Sequence, residues 1–206
     1  MSAAYNDLLR RWAEVSDLSR AASLLGWDQE TMMPPGGAAL RAESQAALAG
    51  VIHERTTDPG LVALCERLYR GRGRLGPQPR RAVELARRAV RQAARLPAEL
   101  ARELALAQSR GLEAWRAARA ARDFARFRPA LEHMVALKRR VARLSADGGR
   151  DYDALLDEYE PGATMAAIDP LLDELVDVTL PLVARVAASR TRVDTSPLRG
   201  RFPVEG

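Results

Sequence analysis

The residue types that most often do chemistry are sparse in this sequence. Its two histidines are His53 and His133, separated by most of the central part of the chain. His53-Glu54 has the form of the first half of a His-Glu-x-x-His helix motif, which places two imidazoles on one helical face to hold a metal ion. Position 57 is Thr57 instead of the second histidine, so the motif is incomplete. We expect His53 to lie at a helix C-terminus, near the helix dipole or water, and His133 to be a packed or surface residue.

Other reactive side chains have simpler explanations than catalysis. One cysteine, Cys65, follows leucines at helical spacing, which favours a buried thiol and excludes an internal disulfide. Carboxylates gather late in the chain and could in principle do acid–base work, but a charged face on a short helix also accounts for them. These acids are Asp151, Asp153, Asp157, Glu158 and Glu160. We assign no catalytic or metal-binding residue from these patterns.

The excess of basic residues does not predict a nucleic-acid partner. The chain has 32 basic and 27 acidic residues, with the two signs interleaved along the predicted helices. Its densest basic segment has no interleaved aromatic residues and no recognition motif, so we interpret it as a solvated helix face. That segment contains Arg80, Arg81, Arg87, Arg88, Arg91 and Arg95.

Helical periodicity runs through most of the chain, and it sets the elements that must position any site. Apolar residues recur at the 3.6-residue period of a buried helix stripe. We expect helices over about 5–25, 38–55, 59–69, 78–95, 97–123, 129–147, 152–159 and 164–189. Asp58 and Thr164 are predicted N-caps, and Gly26 is predicted to end the first helix. No strand pattern occurs, so the sequence predicts an all-α array of about seven or eight helices.

The ends of the chain indicate its organisation and location. Residues 190–206 are rich in proline and glycine and have little apolar content, so we predict a helical region over 1–189 followed by an extended linker over 190–206. No run approaches the roughly 18 apolar residues of a membrane span, and the first 20 residues do not form a signal peptide. We therefore expect a cytoplasmic protein without a membrane partner.

The least generic stretch joins the first two predicted helices. It combines Trp27, Asp28, Gln29 and Thr31 with two methionines and the run Pro34-Pro35-Gly36-Gly37. We expect Trp27 to be a buried anchor and the polar residues to satisfy backbone donors in a turn. The alternative is that Asp28 and Gln29 line a binding groove.

This stretch, Leu25-Gly26-Trp27-Asp28-Gln29-Glu30-Thr31-Met32-Met33-Pro34-Pro35-Gly36 followed by Arg41 and Gln45, resembles the N-terminal signature of the thermostable carboxypeptidase Taq family, the M32 metallocarboxypeptidases. Two later blocks agree with that family, in family order. One is Ser109 to Pro129, with Trp115, Asp123-Phe124 and Phe127-Arg128-Pro129. The other is Tyr152-Asp153-Ala154-Leu155-Leu156-Asp157-Glu158-Tyr159-Glu160-Pro161-Gly162-Ala163-Thr164. The signature residues, which we expect to be structural or groove-lining, are Trp27, Asp28, Gln29, Thr31, Pro34, Arg41 and Gln45.

The resemblance implies a helical, grooved fold similar to neurolysin-like peptidases and a zinc-type or cobalt-activated exopeptidase that removes C-terminal residues from peptides, usually as a homodimer. In that family the His-Glu-x-x-His helix, the third metal ligand and the residues that hold the substrate carboxylate lie after the region matched here. We therefore expect this chain to be an N-terminal portion that binds no metal and is inactive alone, with residues 190–206 leading to a catalytic half. The alternative is a stand-alone helical peptide-binding or dimerisation module that has lost catalysis.

Overall fold

The computed structural model describes residues 3–146, 149–191 and 194–200, and the regular structure in these ranges is helical throughout. Eight α-helices follow one another along the chain, with short 3-10 turns at Pro35–Gly37, Arg72–Arg74 and Ser196–Leu198. The helices are α1 (Ala3–Thr31), α2 (Ala38–Thr56), α3 (Pro59–Arg70), α4 (Pro77–Ala94), α5 (Ala98–Ala121), α6 (Phe124–Ser145), α7 (Asp151–Leu156) and α8 (Met165–Ala188). The predicted all-α fold class is confirmed.

The chain forms two compact units, Met1–Tyr159 and Glu160–Gly206. In the first unit, α2 packs along α5 and α5 packs on α6, while α1 packs on α2 and α3. The second unit contains α8, none of whose residues is buried. The division predicted at residue 190 stays a prediction, and part of the predicted linker, residues 192, 193 and 201–206, lies outside the described residues.

Two apolar clusters hold the first unit together. The larger one joins α1, α3 and α4 through residues such as Leu8, Leu61 and Val83, which are almost fully buried. The smaller one joins α5 to α6 through Leu100, Leu137 and Val141. Burial of this kind supplies most of the stability of amphipathic helices, because each isolated helix is only marginally stable in water. The larger cluster thereby fixes the position of α1, and the smaller one fixes the position of α5. Helix α2 packs against both α1 and α5.

The predicted end of the first helix at Gly26 was wrong. Among the described residues, a positive φ occurs only at Arg122 and Gly162, so Gly26 does not take the left-handed conformation of a C-terminal glycine. Helix α1 continues to Thr31, and the amides of Met32 and Met33 both donate to the carbonyl of Asp28 at 2.9 Å. The helix ends where Pro34 follows, because proline disfavours helical geometry in the residue before it and has no N–H to donate.

The start of α6 was also predicted too late. The helix begins at Phe124, five residues before Pro129, and Asp123 caps it by accepting a hydrogen bond from the amide of Ala125 at 3.0 Å. Arg122, with φ of 53°, makes the turn between α5 and α6. A capping side chain and a left-handed turn thus decide this boundary, while the proline is accommodated inside the helix. The predicted end of α6 at Asp147 falls on a residue outside the described ranges.

Two predicted N-caps are confirmed. The side chain of Asp58 accepts from the amide of Leu61 at 2.9 Å at the start of α3. The hydroxyl of Thr164 accepts from the amide of Ala167 at 3.3 Å at the start of α8. Both caps satisfy amides that the first turn of a helix leaves without a partner.

Candidate functional site

The seven signature residues lie around the end of α1 and the start of α2. Trp27, Asp28, Gln29 and Thr31 are in the last turns of α1, and Pro34 is in the connection. Arg41 and Gln45 lie one turn apart on α2. We call this region, together with the part of α5 that contacts it, the α1–α2–α5 joint.

Arg41 ties α2 to the end of α1. One terminal nitrogen of its guanidinium pairs with the carboxylate of Asp28 at 2.5 Å, and the other donates to the carbonyl of Leu25. The Arg41 side chain is mostly buried, so water competes little for these bonds. A cation at the C-terminal end of α1 also interacts favourably with the helix dipole. Asp28 and Arg41 therefore act as a link between two helices.

Gln29 ties the same helix end to α5. Its side chain is only 3% exposed, and its Nε2 donates to the carbonyl of Ser109 and to Oε1 of Glu113, both at 3.3 Å. Its Oε1 accepts from the hydroxyl of Ser109 at 3.0 Å. A buried amide is costly unless it is hydrogen-bonded, and here both ends of the amide have partners. These contacts account for Gln29 as a structural residue.

Arg116 completes the joint, and no sequence pattern predicted its role. Its guanidinium donates to the carbonyls of Gln29 at 3.0 Å and Glu30 at 3.1 Å, which are among the carbonyls left free where α1 ends. It also pairs with Glu113 at 3.0 Å. The only signal in the sequence was its position beside Trp115, inside the second block that resembles the family.

Trp27 is not the buried anchor that was expected. It is 57% exposed, and the nearby Met32 is 71% exposed. Because α1 continues through Gly26, residues 27 and 29 lie about 200° apart around the same helix. When Gln29 faces α5, Trp27 must face outward.

The remaining signature residues make local contacts. The hydroxyl of Thr31 donates to the carbonyl of Trp27 at 2.7 Å, within α1. Pro34 precedes the 3-10 turn, and its carbonyl accepts from the amide of Gly37 at 2.9 Å. Gln45 lies beside Gly26. A Cβ added at Gly26 would be 4.0 Å from the side-chain Nε2 of Gln45. A groove-lining role for Asp28 and Gln29 stays a prediction, and their contacts within the chain account for both side chains.

The two histidines lie in different environments. His53 is in the last turn of α2, but its Nε2 contacts the carbonyls of Ala93 at 3.2 Å and Leu96 at 2.8 Å, at the end of α4. Since both partners are acceptors, Nε2 carries a proton, and Nδ1 is buried without a hydrogen-bond partner in the described part of the protein. His133 is on the surface of α6, 3.9 Å from Glu103. His53 therefore lies at the C-terminal end of α2, as expected, but its ring bonds carbonyls at the end of α4.

The described residues do not fit a catalytic metal. Within residues 3–146, 149–191 and 194–200, no group of three or more His, Cys, Asp or Glu side chains is arranged to hold a metal ion. Two of the acids considered for acid–base work are ion-paired with other helices. Asp157 pairs with Arg88 at 2.7 Å, and Glu158 pairs with Lys138 at 3.0 Å.

Cys65 is buried, as predicted, with 1% of its surface exposed. Burial, with a smaller contribution from the neighbouring Glu66 carboxylate, raises the pKa of its thiol to about 11. The reactive species of cysteine is the thiolate, so this residue is a poor nucleophile near neutral pH. None of the described helices is both long and apolar enough to cross a membrane.

Comparison with known proteins gives a consistent result. The family model of the carboxypeptidase Taq (M32) metallopeptidases matches residues 7–206. The chain is 34% identical to carboxypeptidase 1 of Bacillus subtilis over 199 residues, covering 97% of this chain and 39% of that protein. It is 37% identical to thermostable carboxypeptidase 1 of Thermus thermophilus over 214 residues, covering 98% of this chain and 42% of that protein.

Solved structures agree with the sequence comparison. The crystal structure of BsuCP superposes with a TM-score of 0.92 at 31% identity, over 99% of this chain and 41% of that one. The M32 carboxypeptidase from Deinococcus radiodurans superposes with a TM-score of 0.74 at 34% identity, over 94% of this chain and 39% of that one. The chain spans about 40% of the length of the relatives it matches.

Proposed function

This chain belongs to the carboxypeptidase Taq (M32) family of metallopeptidases, and we propose that it is the N-terminal helical region of an enzyme that hydrolyses C-terminal residues from peptides. The observation that carries the proposal is the family match over residues 7–206. The superposition on BsuCP over 99% of this chain supports it. The activity belongs to the complete enzyme, and this chain alone is inactive.

The proposed role of the described residues is positional. Since no described cluster fits a metal, we assign these residues no step of hydrolysis. The zinc or cobalt ion that the family resemblance implies is proposed to be held by the other part of the enzyme. The helices of the first unit form one wall or lid of the substrate groove, which limits access to flexible peptide ends and excludes water. Three polar links in the α1–α2–α5 joint keep this wall rigid: Asp28–Arg41, Gln29–Ser109 and Arg116 with the end of α1.

The exposed apolar side chains of α8 support the proposal that another part of the enzyme packs against this helix. Its apolar side chains, from Leu171 to Val186, are exposed and cover about 200° of the helix circumference at about 100° per residue. A helix apolar over so wide an arc is typical of the interior of a larger protein. We propose that the part of the enzyme not spanned here covers this arc.

Three further features are part of the proposal, and the family resemblance supports each of them. They are zinc or cobalt as the metal, a homodimer as the assembly and the cytoplasm as the location. A peptide is the proposed substrate, and no nucleic acid or membrane is a proposed partner.

Reading the coding sequence past codon 206 tests the proposal directly. We expect the frame to continue into a His-Glu-x-x-His helix. A frame that ends at Gly206 would instead support the stand-alone peptide-binding or dimerisation module.

A carboxypeptidase assay provides a second, independent test. With zinc or cobalt added, the 206-residue chain is expected to release no C-terminal residue from peptides, while a polypeptide of family length is expected to do so. Turnover by the 206-residue chain comparable to that of a full-length relative would contradict the assignment of the chemistry to the other part of the enzyme.

A further inference from the structure

Positive charge is concentrated in one segment of the first unit. Residues 66–95 contain ten arginines and two glutamates, a formal charge of +8, whereas the whole chain carries +5. The segment comprises the end of α3, the 3-10 turn and α4. This segment includes the densest basic part of the sequence, and its arginine side chains repel one another unless anions neutralise them.

The two glutamates neutralise only part of this charge. Glu84 is approached by Arg80 at 3.2 Å, Arg81 at 3.7 Å and Arg72 at 3.9 Å. Arg87 pairs with Glu66 at 2.9 Å. Two carboxylates thus serve four guanidinium groups, and the arginines further along α4 need other partners.

Those arginines line an open cavity of about 410 Å³, within the range of roughly 300–1,000 Å³ that is typical of small-molecule sites. Residues spaced three and four apart on α4 face the same side, so their guanidinium groups converge. The cavity is lined by Glu84, Arg87, Arg88, Arg91 and Gln92 from α4 and by Arg95 at its C-terminal end, together with Tyr69 and Asp157.

Most of these side chains are held in place. Arg88 pairs with the carboxylate of Asp157 at 2.7 Å and also donates to its carbonyl at 2.9 Å. Arg95 donates to the carbonyl of Ser145 at 2.8 Å, and the Gln92 amide donates to Asp157 at 2.9 Å. A ligand would meet donors that are already ordered, which lowers the entropic cost of binding.

Arg91 differs from its neighbours. Within the described part of the chain, its guanidinium makes no hydrogen bond and no ion pair. It lies between Arg88 and Arg95 on the cavity side of α4, so all five of its N–H donors are available there. Guanidinium groups bind phosphate oxygens in a bidentate manner, with charge-assisted hydrogen bonds.

We propose that this cavity, the α4 arginine pocket, binds a multivalent phosphate anion of the size of pyrophosphate. The anion contacts Arg91 and is flanked by Arg88 and Arg95. A single-stranded nucleic acid fits the site less well, because such binding relies on aromatic side chains that stack on bases. The one aromatic ring here, Tyr69, is covered by Arg72 at 3.8 Å and Arg87 at 3.9 Å from the ring centroid.

Binding of pyrophosphate to the 206-residue chain tests the proposal, by isothermal titration calorimetry and by thermal unfolding at constant ionic strength set with NaCl. We expect saturable binding and a rise in Tm with pyrophosphate concentration. Arg91→Gln is expected to weaken binding by roughly tenfold or more, since a charge-assisted bidentate contact is lost. Without anion, the Tm of this variant should be no lower than that of the wild type, because Arg91 has no partner in the described structure to lose and its removal lowers the repulsion among the arginines.

Arg139→Gln is the matched control, an exposed arginine on α6 that makes no ion pair with the described residues. It should bind pyrophosphate as the wild type does. The proposal is overturned by an absence of saturable binding, or by Arg91→Gln and Arg139→Gln variants that bind equally well. An oligonucleotide that binds and is not displaced by pyrophosphate would also overturn it, in favour of a nucleic-acid surface.

Discussion

The amide of Gln29 is satisfied entirely by groups on α5. Ser109 supplies a carbonyl acceptor and a hydroxyl donor, and Glu113 supplies a second acceptor. Ser109 is itself only 2% exposed, so water cannot easily replace a lost partner. The energetic importance of such a residue comes less from the bond itself than from the cost of leaving its partners unpaired.

Replacing Gln29 with leucine keeps a similar volume and removes both ends of the amide. We expect the free energy of unfolding to fall by about 1–3 kcal/mol, because the buried hydroxyl of Ser109 loses its acceptor. The measurement is urea denaturation followed by far-ultraviolet circular dichroism. Gln108→Leu, at an exposed position on α5, is the control and should change stability by no more than about 0.5 kcal/mol. Equal effects of the two substitutions would show that the Gln29 contacts do not stabilise the joint.

Cys65 predicts a pH dependence with a definite sign. Its folded-state pKa is raised from 9.0 to about 11, so between these pH values the unfolded chain loses the thiol proton while the folded chain keeps it. The free energy of unfolding should therefore fall as pH rises from about 9 to about 11 and be unaffected by this group below pH 9. The contribution of Cys65 is read as the difference in slope between the wild type and Cys65→Ala. Identical slopes for the wild type and Cys65→Ala would contradict the raised pKa of Cys65.

At the scale of the helices, the boundaries that could be predicted are those set by neighbouring residues. Asp58 and Thr164 were found because a cap bonds an amide three residues away. The end of α1 was missed because its last turn is held by α5, through contacts between residues that are 80 or more positions apart. The orientation of Trp27 follows from that end, so it could not be predicted either. Arg116 was missed for the same reason, since an arginine that bonds carbonyls of a distant helix has no local pattern.

Gly26 offers a direct test of the helix that runs through it. In a helix interior, alanine is favoured over glycine by roughly 0.5–1 kcal/mol, and a Cβ at Gly26 would have only Gln45 within 4 Å. We expect Gly26→Ala to raise the free energy of unfolding by about that amount. A fall in the free energy of unfolding would instead indicate that Gly26 takes the left-handed conformation and ends the helix. Chemical denaturation distinguishes the two signs.

Gly50→Ala, in the interior of α2, is expected to behave differently. A Cβ at Gly50 would collide with the guanidinium of Arg102 on α5, which pairs with Glu54 at 3.1 Å. Both side chains of that pair are largely exposed, so its loss costs at most about 1 kcal/mol, similar to the gain in helix propensity. The net change should be within about 0.5 kcal/mol of zero. A loss above about 2 kcal/mol would mean that α2 and α5 must separate, as in overpacked cores.

At the scale of the whole molecule, the two units differ in how they bury apolar surface. The first unit has two apolar clusters among α1, α3, α4, α5 and α6. The second has a 24-residue helix with no buried residue. Sequence periodicity predicted that α8 is a helix, but it could not predict what covers the helix, because the chain spans only about 40% of the length of its relatives. Large exposed apolar surfaces mark interaction sites or drive association.

The 206-residue chain alone is therefore expected to self-associate through α8 and to bind the dye ANS. Leu175 and Val183 lie near the middle of the apolar arc and are both exposed, so Leu175→Gln with Val183→Gln should shift the sedimentation profile toward monomer and lower dye fluorescence. Helix propensity changes little in these substitutions, and circular dichroism can verify that α8 persists.

Glu174→Gln with Asp177→Gln, on the polar side of the same helix, is the matched control. It should leave association in place or strengthen it by removing negative charge. A wild-type chain that stays monomeric at all concentrations and binds no dye would contradict an open apolar surface on α8, and with it the proposal that the rest of the enzyme covers this helix.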